Sequence, residues 1–524
     1  MKMTAGGPMM RAAKQFAGRT AITTPQGSQT FAELNAAANR VGSGLRAVGL
    51  EPGERVGVLS HNRMETVQVW LGLERFQLPR LTMHSHFDMA VHLDTLGKVR
   101  PAALVFDTAF TSAVEQRRGE LSSVRHFIAM GANPPPWATP LEQVMARGSP
   151  EDPQLDVDET APCIVQPTTG TTGLPKPWII SYRGWSTLVS HNLHHLDTFG
   201  PGIPQVGPDD VNLHLHALQW ASGAQTMYPY LLRGARNVIL DDSGFDPVKI
   251  VETIEREQVT GVFIPGPMLI PLLDVIEARG GIKHRLRRAV LFFASPELLE
   301  RFTRVVGPMW CHGFGSTEQG APSARLLQSE AAEKPGRLHS VGRPASWLLE
   351  MAVVDEQGHR LPPGQVGELV VRSPMSASEY WEDPERTRSS FLPGGWFRPA
   401  DIGHMDEDGF FYYLDRAKDR IRTARGVVYP HVVEVALLRH PAVANCGVVG
   451  VGAPGSEQIV AAVLLKPGQT AGEPLRREIE QAAHPGLKEH ERPGRLVFLT
   501  ELPTVLGGAK VQREVLRQRL EQAS

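Results

Sequence analysis

The residues with the clearest chemical capacity lie in one run, Thr168-Thr169-Gly170-Thr171-Thr172-Gly173-Leu174-Pro175-Lys176, shortly after the apolar Cys163-Ile164-Val165. Glycine lets a backbone turn tightly and approach a phosphate, threonine hydroxyls and successive N–H groups donate to its oxygens, and a lysine adds a point charge. By composition this is a phosphate cradle. It is not the Walker form, because Pro175 and Pro177 flank Lys176 where that loop places Gly and Ser or Thr, which argues against γ-phosphoryl transfer by a P-loop enzyme. Taken alone, the stretch also suits a Gly/Thr-rich hairpin loop.

Such a loop needs strands and helices to hold it. Short apolar runs at 56–59, 103–106, 238–240, 262–264 and 369–371 alternate with amphipathic stretches, the pattern of α/β architecture with buried strands. The segment 30–48 carries apolar residues at helical spacing behind Thr30, a residue type that caps helices. A break falls at 415–420, after the turn-forming Asp406-Glu407-Asp408-Gly409 and the aromatic run Phe410-Phe411-Tyr412-Tyr413. Beyond it, VVEVALLRHPAVANCGVVGVGAP predicts helix, loop and strand, IVAAVLLKPG predicts a further strand, and a terminal helix begins at Gln512. That is a small domain of about 100 residues. Segments 133–136 and 150–153 read as surface loops.

With 524 residues the chain is too long for one core, and 41% hydrophobic with 21% charged residues is a globular balance. A net charge of -2 gives no general attraction for nucleic acid or anionic lipid. Three dispersed cysteines without C-x-x-C spacing, no apolar signal segment and no long apolar run lead us to expect a cytoplasmic protein with no membrane span, a monomer or homodimer.

Seven blocks, in order, resemble the adenylate-forming superfamily that contains acyl-CoA synthetases, beetle luciferases and the adenylation domains of peptide synthetases. They are PTTGTTGLPKP, Gly313-Phe314-Gly315-Ser316-Thr317-Glu318, VGRPASW, LPPGQVGELVVRSP, Trp396-Phe397-Arg398-Pro399-Ala400-Asp401, Asp415-Arg416-Ala417-Lys418-Asp419 and Lys510-Val511-Gln512-Arg513. The resemblance implies an α/β fold: a large multi-layer N-terminal domain with mixed sheets over 1–414, a hinge at 415–419, and a small α+β lid over 420–524. It implies ATP-dependent activation of a small or aromatic carboxylic acid, with Mg2+ and with CoA as second substrate.

Roles follow from the resemblance. Attack of a carboxylate on the α-phosphate joins two anions, so catalysis is largely positioning and charge neutralisation. Glu318 is expected to bind Mg2+, Thr317 and Lys176 to contact phosphate, Phe314 to stack on adenine beside Gly315, Asp401 to accept from the ribose hydroxyls, and Arg416 to reach ribose or phosphate. Lys510 is expected to bridge the acid and the α-phosphate, and Lys418 to be the pivot of the lid. Lysine usage points the same way: only 11 of the 54 basic residues are lysine, and Lys176, Lys418 and Lys510 are among them.

Trp220-Ala221-Ser222-Gly223 resembles the stretch lining the acid pocket in short- and medium-chain ligases, so Trp220 and Gly223 are expected there, limiting the acid to a small or aromatic one; the alternative is a core tryptophan on a helix. The histidines at 191, 194, 195, 214 and 216 lack an acidic partner at metal-site spacing and are not read as ligands. Departures concern the acceptor. Arg425 stands where a glycine is usual in the channel for CoA, with Gly426 next to it; the lysine block 502–510 is one residue longer than the family's and ends Gly508-Ala509-Lys510, with Ala before the lysine; and 291–296 is shorter than its counterpart. Transfer to CoA, closure to a β-lactone, and amide or N–N bond formation from an activated small oxyanion therefore stay open, as does a non-catalytic nucleotide-binding role.

Overall fold

Apolar runs become buried strands. The structure, a computed structural model, describes residues 6–154, 156–168, 175–375, 379–453, 455–505 and 510–522. In it Val56–Leu59, Arg80–Met83, Ala103–Asp107 and Arg288–Phe292 are buried along their whole length. Continuous burial is what parallel strands covered by helices on both faces require.

Two sheets organise the larger domain. One has seven strands, with Ala103–Asp107, Val56–Leu59, Arg80–Met83 and Pro162–Thr168 parallel at its centre and Lys176–Ser181 antiparallel at its edge. The other has nine, with Val211–His214, Gly261–Pro265, Arg288–Phe292 and Trp310–Phe314 parallel, followed by the antiparallel Ala324–Leu327. Helix Phe31–Ala47 begins at Thr30, as expected. Glu33 N donates to Thr30 Oγ1 at 3.2 Å and Thr30 N donates to Glu33 Oε2 at 2.8 Å, a capping box.

A six-stranded sheet follows. Its strands Asp401–Met405 and Phe411–Arg416 pair antiparallel with Asp401 opposite Arg416. The latter strand runs through Arg416, so its last two residues fall inside the segment expected to be a hinge. The smaller C-terminal domain has its own core, including Val433, Val448, Val463, Ile479 and Leu496, under a sheet of Val443–Val451, Gln458–Leu465 and Arg495–Leu499. The terminal helix spans Arg513–Gln522, one residue later than predicted, because Gln512 N donates to Pro503 O at 2.8 Å. Among the described residues no helix is long and apolar enough to cross a membrane.

Gly342 joins the nine- and six-stranded sheets. Val341 N donates to Phe411 O and Phe411 N to Gly342 O, both at 2.8 Å, with Gly342 at φ +94°. A Cβ there would lie 1.8 Å from Arg325 O. Gly342→Ala is therefore expected to lower unfolding free energy by about 2–4 kcal/mol, read as a fall in the urea midpoint.

Candidate functional site

Strand Trp310–Phe314 ends in a turn that only glycine closes. Gly315 sits at φ +145°, and a Cβ on it would come within 2.8 Å of Ser323 Oγ. Ser323 N donates to Phe314 O at 2.8 Å, returning the chain into Ala324–Leu327. The turn leaves Phe314, Thr317 and Glu318 half-buried at the carboxyl end of parallel strands, the usual place for a ligand in an open α/β sheet. The Phe314 ring lies 5.6 Å from Tyr413 and 6.0 Å from Phe411.

Beside this aromatic group the strand register delivers a charged pair. Arg416 Nη1 lies 2.9 Å from Asp401 Oδ1, and Gln319 Nε2 donates to Asp401 Oδ2 at 3.3 Å. Gln319 in turn accepts from Ser323 Oγ at 2.6 Å, so the glycine turn and the carboxylate hold one another. Asp401 raises the Arg416 pKa further, with Tyr413 and Glu318 adding to it against burial. Ala400, preceding Asp401 where the family motif has glycine, adopts the left-handed φ +62°.

Lys176 begins the edge strand opposite Thr168, whose Oγ1 donates to Lys176 O at 3.3 Å. Pro177, where the family has glycine, faces Pro167 across the ladder; neither proline has an N–H, and Pro177 O accepts instead from Trp381 N at 2.9 Å. Partial burial lowers the Lys176 pKa, helped by the positive charges of Arg386 and Lys418 and opposed by Glu318. Lys176, Glu318, Asp401, Arg416 and Lys418 thus share one electrostatic neighbourhood. Thr169, Gly170, Thr171, Thr172 and Gly173 lie outside the described residues.

Trp220 is not on a helix but immediately ahead of one, Ala221–Leu232, with its ring 5.4 Å from that of His84. Gly223 lets this helix touch the preceding turn, since a Cβ there would meet Leu218 O at 2.2 Å. The shortened segment 291–296 ends strand Arg288–Phe292 and turns through Phe293 at φ +55°, leaving that ring 61% exposed. His191 is engaged by Ser346 Oγ and Pro322 O at 2.7 and 2.8 Å, His214 by Asn237 at 3.0 Å, His216 by Ser222 Oγ at 2.8 Å, and His195 by Arg325. Burial pushes His191 and His214 down to about 4 and His216 to about 3.

On the smaller domain, Arg425 occupies the tip of the hairpin Ile421–Thr423 and Gly426–Val428, exposed, with Glu489 at 3.6 Å as an ion partner. Gly426 has φ +135° and open space beside it. Lys510 lies in strand Lys510–Val511, paired with Val505; residues 506–509 lie outside the described residues. Arg513 forms a cluster of ion pairs that the sequence did not reveal. Its guanidinium gathers Glu434 at 2.7 Å, Asp419 at 3.4 Å and Asp415 at 3.7 Å, tying the expected hinge to helix Pro430–Leu438 and to the strand bearing Lys510. Burial pushes Glu434 up to about 7, opposed by Arg513. Its position three residues after Lys510 was the available signal. Tyr413 and Gln319 were likewise unassigned, and only their adjacency to named motifs marked them.

The family model for the AMP-binding enzyme matches residues 9–381, and that for the AMP-binding enzyme C-terminal domain matches 432–506. A long-chain-fatty-acid–CoA ligase from Thermus thermophilus is 29% identical over 500 residues, 93% of this chain and 90% of that protein. The solved anthranilate CoA ligase AuaEII, in complex with anthranoyl-AMP, superposes with a TM-score of 0.88 at 24% identity, covering 100% of this chain and 98% of that one. The amide bond synthetase McbA from Marinactinospora thermotolerans superposes with a TM-score of 0.83 at 27% identity, covering 98% and 99%.

Two outcomes follow from this geometry. Ala400→Gly is expected to stabilise the fold by about 0.5–1 kcal/mol, since relief of the left-handed strain exceeds the entropic cost of glycine, measured by chemical denaturation. Glu434 has a folded pKa above its unfolded value, so the native state binds more protons between about 4.5 and 7 and wild-type stability falls relative to Glu434→Gln as pH rises through that window. Melting curves at pH 5 and pH 8 read this difference; a gap that is constant with pH contradicts it.

Proposed function

This chain belongs to the family of AMP-binding enzymes, and on that premise we propose that it adenylates a small or aromatic carboxylic acid with ATP and passes the acyl group to the thiol of CoA. The observation that carries the reading is the convergence of a nucleoside-binding half with a phosphate-binding half. Phe314 and Tyr413 lie beside the Asp401–Arg416 pair, and Lys176, Lys418 and Glu318 lie alongside.

In this reading one face of the adenine meets Phe314, and the buried Asp401 carboxylate accepts from the ribose hydroxyls while Gln319 and Arg416 fix its orientation. Lys176 and Arg416 spread positive charge over the phosphates, with the loop 168–173 donating to their oxygens. Glu318 fits a single-carboxylate Mg2+ site: it is half-buried, and Mg2+ is commonly held by one or two carboxylates with substrate phosphates and water completing its shell. Such an ion would neutralise phosphate charge. The acid oxygen forms a bond to the α-phosphorus while the bond to the β-phosphate oxygen breaks, releasing pyrophosphate. A thiolate then attacks the acyl carbon and AMP leaves.

We assign residues 1–414 to the adenylating body, 415–419 to the hinge and 420–524 to the lid. Lys510 would neutralise charge between acid and phosphate when the lid closes one way, and the hairpin with Arg425 and Gly426 would face the second substrate when it turns the other. Trp220 forms a flat wall of the acid pocket beside Gly223.

A second reading is an acceptor other than CoA, favoured by the Arg425 side chain at a hairpin position where a glycine is usual and by similarity to the amide bond synthetase. Incubation with ATP, Mg2+ and a panel of aliphatic and aryl acids distinguishes them. AMP and pyrophosphate are expected, with turnover raised by CoA. ADP as the product sinks adenylation, and turnover that responds to amines but not to CoA replaces the thioester assignment. Lys510→Ala is expected to reduce acid-dependent pyrophosphate release by about 100-fold or more, the scale of losing one transition-state donor.

A further inference from the structure

The smaller domain meets the larger one at a buried carboxylate. Asp415 lies in strand Phe411–Arg416 of the six-stranded sheet, opposite Ile402, with its side chain 1% exposed. Its Oδ1 accepts from the neighbouring Arg416 N at 2.7 Å and faces Arg513 Nη1 at 3.7 Å, and its Oδ2 accepts from His431 N at 2.7 Å. Arg416 belongs to the same strand, whereas His431 and Arg513 belong to the smaller domain, beyond the expected pivot at Lys418.

His431 is the second residue of helix Pro430–Leu438, whose N-cap residue Tyr429 makes no side-chain hydrogen bond to it. The first N–H groups of a helix have no partner within it and form the positive end of its dipole, so an acceptor there is favourable and an anion more so. Pro430 has no N–H, which makes His431 the first donor of this helix. A helix of the smaller domain thus takes its cap from the larger. Arg513 meets the same carboxylate from a second direction, while Glu434 on the helix holds its guanidinium at 2.7 Å and Asp419 flanks it at 3.4 Å. Turning about Lys418 would carry His431, Glu434 and Arg513 away together and leave Asp415 behind, so both contacts of Asp415 across the pivot break in one motion.

These contacts belong to one orientation of the smaller domain. Residues 424–427 of the hairpin are exposed, with Arg425 and its ion partner Glu489 at 71% and 83%, so the face proposed to serve the second substrate is turned to solvent. The docked helix end instead meets the nucleotide side: the His431 ring lies 5.5 Å from that of Tyr413, which lies 5.6 Å from that of Phe314.

We infer that Asp415 is a positioning residue, the larger domain's half of a latch that engages Arg513 and the amino end of helix Pro430–Leu438 and holds the lid in its adenylating orientation; this rests on the adenylation and lid assignments proposed above. Asp415 acts through the lid, while the adjacent Arg416 has its own guanidinium on Asp401.

Two readouts on the full chain test the latch. Exchange of pyrophosphate into ATP, driven by acetate, hexanoate or benzoate, reads adenylation. Spin labels on cysteines introduced at the exposed Glu356 of the larger domain and Thr470 of the smaller read the distance between domains with ATP bound, the native cysteines at 163, 311 and 446 being buried. Asp415→Ala is expected to lower the kcat of exchange about tenfold, the scale of losing a helix cap, with the KM for ATP within about twofold, and to move about half or more of the molecules to a second distance. Asp415→Asn, which keeps an acceptor for His431 and loses the charge, is expected to fall between Asp415→Ala and wild type, and Arg513→Lys to retain more exchange than Arg513→Gln. If Arg513→Gln fails to fold, the Asp415 variants carry the test. An unchanged distance in Asp415→Ala, exchange within about twofold of wild type, or a rise in the ATP KM that accounts for the loss overturns the latch and leaves adenylation standing. No exchange by the wild type with any acid removes the adenylation reading and the latch with it.

Discussion

Asp401 and Arg416 face each other across two antiparallel strands, and the geometry of the site depends on that pairing. A carboxylate 4% exposed needs a cation or several donors to stay charged, and here it has a guanidinium at 2.9 Å and an amide at 3.3 Å. The strand ladder sets the separation, the Gly315 turn supplies Gln319, and the Gly342 bridge holds the neighbouring Phe411 against the nine-stranded sheet. A one-residue slip between the two strands would put the two charges on opposite faces of the sheet.

From that pair the remaining groups take their places by charge. Arg386 and Lys418 lie close enough to repel Lys176, and Glu318 and Asp383 oppose them. Cations drawn together in this way are favourable around a polyphosphate. At the far side of the expected hinge the balance reverses: Arg513 is surrounded by Asp415, Asp419 and Glu434. Arg513, three residues after Lys510, is thereby tied to the segment expected to be the hinge.

Much of this was legible in one dimension. Thr30 with Glu33 announces a helix start through local hydrogen bonds, and apolar runs such as 103–106 announce buried strands. The Gly-Ser-Thr-Glu turn after Phe314 is local too. The Asp401–Arg416 contact depends on the register between two strands, which no spacing along the chain fixes. Trp220 read equally well as a helix residue and as a pocket wall; the structure places it ahead of the helix because the turn 217–220 closes first, with Trp220 N donating to Ala217 O at 3.2 Å. The Arg513 cluster was illegible for the same reason: its partners are 79 to 98 positions away, brought together by packing of the smaller domain on the end of the six-stranded sheet.

In the adenylation reading an acid oxygen attacks the α-phosphorus of ATP. The most direct measurement is oxygen transfer: an acid labelled with 18O in its carboxylate is turned over with ATP and Mg2+, and the nucleotide is recovered after release of the acyl group. One labelled oxygen in the phosphate of AMP, with unlabelled pyrophosphate, is the predicted result. Label in inorganic phosphate together with ADP would place the attack at the γ-phosphate and contradict it.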